Sequence, residues 1–204
     1  TRALAYAEGD AGIDRVATRL LCGRLALRMG DPEGSKVHLD AGLKAAEDGD
    51  PESYATLLIA MRGRACIIAG EDDPGRASLI EAEAALEGLA LPRRTQVLGV
   101  LALGYQALGD QEMALGFARQ AAKFAGSRGF RLWSLVSRSI VAVLAEGNEA
   151  KSARNEATAI AEELCTAMPP DLRAVFQERP RIRALLHPLT VSDPERDLDI
   201  GSPE

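Results

Sequence analysis

Apolar residues recur along most of this chain at spacings near 3.6. The stretches they define predict helices at about 13–29, 33–48, 51–69, 74–89, 92–108, 111–126, 130–146 and 149–167. Pro51 and Pro92 sit where first turns are expected. No stretch alternates cleanly between apolar and polar positions with β-branched enrichment, so no strand is predicted. Eight helices with short connections read as four antiparallel pairs. After Met168 the run "PPDLRAVFQERPRIRALL" restarts a helix behind a double proline, and Pro180 should end or restart it.

A short polar break carrying glycine separates the apolar runs at Gly30, Gly70, Gly109 and Gly147. The interval is nearly constant, and a period of roughly 40 residues is a sign of stacked helical repeats. Glycine suits the residue after a helix, where a left-handed backbone carries no Cβ penalty. The acidic or amide residue that follows each glycine can cap the next helix or favour its first turn.

The third unit carries a family resemblance. Leu101, Ala102, Tyr105, Gly109, Ala114, Ala118 and Ala121 fall at the spacing of the Leu, small residue, Tyr, turn Gly and small or apolar residues of tetratricopeptide repeats, and aligning the glycine breaks puts Gly23 and Gly63 at the position of Ala102. The units are longer than that family's usual repeat and are similar to the extended repeats of large bacterial regulators. The resemblance covers about residues 13–167 and implies an all-α fold, a right-handed α-solenoid of about four helix pairs with a C-terminal capping helix. The chain then divides into the end of a preceding helix or linker at 1–12, with a helical remnant at Ala3 to Ala7, the repeats at 13–167, the cap at 168–187 and a flexible acidic tail or linker at 188–204.

Composition agrees with a helical reading: hydrophobic residues make up 47% and charged residues 26%, but aromatics only 4%. A net charge of −6 argues against the phosphate attraction on which most nucleic-acid binding rests. The longest apolar run, Val97 to Gly109, is shorter than the ~20 residues of a spanning helix, so no membrane contact is expected and the cytoplasm is the default location. Three widely spaced cysteines, Cys22, Cys66 and Cys165, read as plain buried thiols. Arginine outnumbers lysine 20 to 4, a bias that a GC-rich bacterial genome produces, and an opening on Thr1 suggests a piece of a longer protein.

No phosphate loop, dinucleotide fingerprint, nucleophile elbow or metalloprotease motif occurs. His38 and His187 have no Cys or carboxylate at ligand spacing, and Glu81, Glu83, Glu87, Glu162 and Glu163 read as solvated helix faces. No catalytic, cofactor or metal residue is therefore expected. The resemblance implies a non-catalytic scaffold that takes a protein or peptide on the face lined by the first helix of each pair. The positions there hold Leu20, Arg24, Ala60, Arg64, Gln96, Gly99 and Leu103, which lack the Lys and Asn of the family's carboxylate clamp. Gln106 is placed on the same side.

Charge supplies the sharper candidates. Residues 31–87 carry 13 acids and 5 bases, residues 88–145 carry 7 bases and 2 acids, and 113–145 hold no acid at all. Arg119, Lys123, Arg128, Arg131 and Arg138, beside Trp133 as an aromatic anchor, are the first candidate docking surface for an acidic partner. The plainer reading is a solvated face whose missing acids come from a neighbouring unit or the cap, with Trp133 packed on the preceding unit. Arg24 and Arg64, one repeat apart in the same helical phase, form the second candidate, able to fork onto carboxylate or phosphate unless a neighbouring Glu claims them. The expected role is one module of a larger bacterial signalling or transcription-regulatory protein, with homo-oligomerisation left open. The alternative is a small-ligand or peptide sensor controlling an attached output domain, which a deep apolar pocket under the cap would favour.

Overall fold

The structure, a computed structural model, describes residues 12–47 and 52–186. The described residues are all-helical: α1 Gly12–Arg28, α2 Pro32–Glu47, α3 Glu52–Ile68, α4 Asp72–Ala84, a 3₁₀ turn at Leu86–Gly88, α5 Leu91–Ala107, α6 Gln111–Arg128, α7 Arg131–Leu144, α8 Gly147–Ala167, α9 Pro170–Gln177 and α10 Pro180–Leu186. The remnant expected at Ala3 to Ala7, His187 and the acidic tail lie outside the described residues.

The helices pack in adjacent pairs, α1 with α2, α3 with α4, α5 with α6 and α7 with α8, and the first helices also touch in succession, α1 to α3, α3 to α5 and α5 to α7. α8 packs against both α9 and α10. Pro180 therefore restarts a helix after the short break that follows Gln177.

Three of the four glycine breaks close a helix as the spacing suggests. Gly30, Gly70 and Gly109 have φ of 77°, 85° and 77°. The next residue's N–H reaches back five positions, Asp31 to the Ala26 carbonyl, Glu71 to Cys66 and Asp110 to Tyr105, at 2.9–3.0 Å. Asp110 and Asp31 then cap the following helices, accepting from the Met113 and Gly34 N–H at 3.2 and 2.7 Å. Gly147 differs. It opens α8 rather than closing α7, which ends at Leu144. The helix-closing role between α6 and α7 belongs to Gly129, at φ 71°, so α6 runs on to Arg128, past its expected end at 126. The fourth helix stops at Ala84, not near 89, because Leu86 turns down into the core, only 7% exposed, and the chain tightens into the 3₁₀ turn.

The core is a row of leucines between and within pairs. Leu39, Leu58, Leu79, Leu98 and Leu101 are fully buried, and Tyr105 stacks on Phe117 with ring centroids 5.5 Å apart. Small residues bring the paired helices together. A Cβ on Gly63 would stand 2.9 Å from the Gly75 carbonyl oxygen, a backbone atom that cannot swing aside, and one on Gly23 would meet Leu39 at 2.8 Å. Ala102, in the same phase, is fully buried. Ala102→Leu is therefore expected to lower unfolding free energy by about 1–3 kcal/mol through overpacking. Gln106→Ala, on the half-buried side of the same helix, should change it little. Urea titration checks both, and equal losses would put the helix phase in error.

Candidate binding surface

The acid-free span does not stay acid-free in space. α8 lies against α7 and brings its glutamates with it. Arg119 donates from Nε and Nη2 to both carboxylate oxygens of Glu149, at 2.7 and 2.6 Å. Arg131 pairs with Glu163 at 3.0 Å, and Arg138 pairs with Glu156 while donating to Ser134 Oγ. The two-pronged bond raises the Arg119 pKa and holds the Glu149 carboxyl below its usual range. A surface depression of about 260 Å³ here takes the Arg119 and Arg138 pairs into its lining. Lys123 and Arg128 are exposed and have no ion pair among the described residues. The first candidate surface is thus largely neutralised by its neighbour, with two free cations left.

Trp133 packs on the preceding pair. A Cβ on Gly99 of α5 would stand 2.9 Å from its ring, so the missing side chain makes the room the indole occupies. The Arg24 guanidinium lies 5.6 Å from the ring centroid, linking α1 of the first pair to α7 of the last.

The second candidate pair is the centre of a larger group. Arg24 and Arg64 are half-buried, and Arg28, one turn beyond Arg24 on α1, lies close enough to act on both. The cap adds Arg181, which acts on Arg64, and Arg179, which feels Arg28. Burial first, then Arg181, Arg24 and Arg28, push the Arg64 pKa down to about 10. Burial followed by Arg28 lowers that of Arg24, and burial lowers that of Arg181, whose outer side still meets solvent although protein crowds its guanidinium. Arg64 Nε is buried with no hydrogen-bond partner among the described residues. None of the five arginines forms an ion pair among the described residues.

Gln96 accepts from Arg93 Nη1 at 2.6 Å, and Arg93 lies 3.7 Å over the Tyr54 ring, so both are held in an intramolecular contact. Gln106 is half-buried. Leu20 and Ala60, expected on the binding side, belong to the core at 5% and 0% exposure. His38 is half-buried, and no three His, Cys, Asp or Glu residues gather as metal ligands would among the described residues. No helix there is long and apolar enough to cross a membrane. A second depression, about 320 Å³, lies under the cap and is lined by Glu162, Cys165, Thr166, Arg173, Gln177 and Leu186, a mixed rather than apolar set.

Sequence reasoning missed Arg28, Arg179 and Arg181. Arg28 was within reach of it, since side chains one turn apart on a helix share a face. Compared with protein-family models, with curated proteins and with solved structures, the chain finds no match in any of the three.

Proposed function

We propose that this chain is a non-catalytic protein-interaction module, a right-handed α-solenoid of tetratricopeptide type within a larger bacterial signalling or transcription-regulatory protein. Its binding face is the one bearing Arg24, Arg64 and Arg181, and its partner offers an acidic segment. One observation carries this reading: the described arginines of α6 and α7 that are ion-paired all draw on glutamates of α8, whereas five arginines of α1, α3 and the cap act on one another and form no ion pair among the described residues. Like charges held at close range oppose folding, so a chain that keeps them there gains from an anion supplied from outside. The mixed lining of the depression under the cap speaks for a scaffold over a small-ligand sensor.

The test is a titration with a labelled glutamate-rich peptide at low and physiological ionic strength. Binding should weaken as salt rises, because exposed charges are screened over about 8–10 Å at physiological strength. The double substitution Arg24→Ala, Arg64→Ala should abolish binding, and Arg128→Glu with Arg131→Glu should leave most of it. The opposite ranking would return the surface to the α6–α7 face.

A further inference from the structure

We infer that Arg24, Arg28, Arg64 and Arg181 form a recognition site for a phosphoryl group carried on a serine, threonine or tyrosine side chain of the partner segment. This rests on the protein-interaction reading above and adds the chemistry of the ligand.

Three separate elements deliver the guanidinium groups. Arg24 and Arg28 share one face of α1, Arg64 stands on α3, which touches α1, and Arg181 comes from α10 at the far end of the described chain. Packed helix axes lie roughly 8–10 Å apart, so arginine side chains from neighbouring helices can close on one small group between them. Arg24 is held in place by the Trp133 ring, which is itself seated on Gly99. Such a site is assembled by tertiary structure and is not a stripe along one helix.

Charge density selects the ligand. One carboxylate brings a single charge and two oxygens to four guanidinium forks. A phosphoryl monoester brings about −1.5 to −2 and three strong acceptor oxygens in one compact group. It can take two-pronged bonds from more than one arginine, the geometry in which arginine surpasses lysine. To deliver the same charge, a glutamate-rich segment must thread several side chains into the space between two helices. The buried Nε–H of Arg64 has no acceptor among the described residues, so the group's hydrogen-bonding capacity is not met by the fold itself. Burial first, and then Arg181, Arg24 and Arg28, lower the Arg64 pKa to about 10, and a dianion among the arginines would oppose the second part of that shift.

Trp133 is the chain's one tryptophan and lies against Arg24, so its fluorescence reports on the site directly. The whole chain is titrated at constant ionic strength with a short capped peptide in three forms, carrying phosphoserine, glutamate or serine at its centre, and separately with inorganic phosphate. The phosphoserine form should bind about tenfold or more tighter than the glutamate form, with no response to the serine form. Arg64→Met and Arg24→Met should each remove at least about tenfold of that affinity. Arg64→Lys, which keeps the charge and loses the fork, should remove the preference for phosphoserine over glutamate, and Lys123→Met should change nothing. Equal binding of the phosphoserine and glutamate forms overturns the phosphoryl site and leaves the acidic-segment reading standing. Absence of response to both overturns the two together. Inorganic phosphate binding as tightly as the phosphopeptide overturns a peptide-borne ligand.

Discussion

Phe176→Ala is expected to destabilise the chain by about 3–5 kcal/mol, the usual range when a buried phenylalanine is cut back to alanine. Phe176 of α9 is 3% exposed and belongs to a cluster with Ile182 and Leu185 of α10, Leu135 of α7, and Ala157, Ile160, Ala161 and Cys165 of α8. This cluster is separate from the larger one that runs through the first three pairs into the fourth, and among the described residues α9 and α10 are the elements after α8 that cover its apolar face. In a nearest-neighbour stack, an uncapped end exposes such a face to water and to other copies. Truncation before Pro169 should accordingly lower both solubility and the urea midpoint. Leu172→Ala supplies the control within α9, because Leu172 is 57% exposed and its loss should cost little. Equal midpoints for the Phe176 and Leu172 variants would show that α9 does not close the stack.

The division between what the residues announced and what they concealed follows the range of the interactions. Helix ends are local. Gly30, Gly70 and Gly109 act where they stand, since a left-handed residue and its backbone bonds involve only the preceding turn and the next few residues. Gly129 was overlooked because it breaks the regular interval that made the others visible. Close approach between paired helices was also legible, since glycine or alanine in one recurring phase has few other uses there, as Gly23 and Gly63 show. Charge compensation was legible in kind, as acids supplied from outside the span, but its partners were not. Arg119 and Glu149, or Arg131 and Glu163, stand far apart along the chain, and nothing in their local sequence says that α8 turns its glutamates toward α6 and α7. The arginine cluster was half legible. Arg24 and Arg64 share a phase, but the effect of Arg181 on Arg64 depends on where the fold carries α10, which no local stretch of sequence specifies.

Arg64→Met should stabilise the unliganded chain while destroying its affinity for anions. Methionine retains most of the apolar stem that arginine packs against its neighbours, so the exchange removes the charge with little loss of contact. The charge is the unfavourable part. Burial and the nearby Arg181, Arg24 and Arg28 push the Arg64 pKa down to about 10, below its value in an unfolded chain, so the protonated side chain opposes folding. A drop of that size corresponds to at most roughly 3 kcal/mol. Water around a half-buried side chain reduces the recoverable part to about 1–2 kcal/mol. The sign fixes the pH dependence. A cation whose folded pKa is lowered carries its full penalty at every pH below that pKa, and the penalty fades only as pH rises through about 10 toward the ordinary guanidinium range. The gain from Arg64→Met should therefore be the same at neutral and mildly alkaline pH, as urea titrations at the two conditions would show. Arg131→Met, which removes an exposed partner of Glu163, should shift stability by no more than about 1 kcal/mol. Opposite signs for stability and binding are what a ligand site held at the expense of folding produces. If Arg64→Met instead loses as much stability as Phe176→Ala, the Arg64 side chain is part of the packing and the cluster is not poised for an anion.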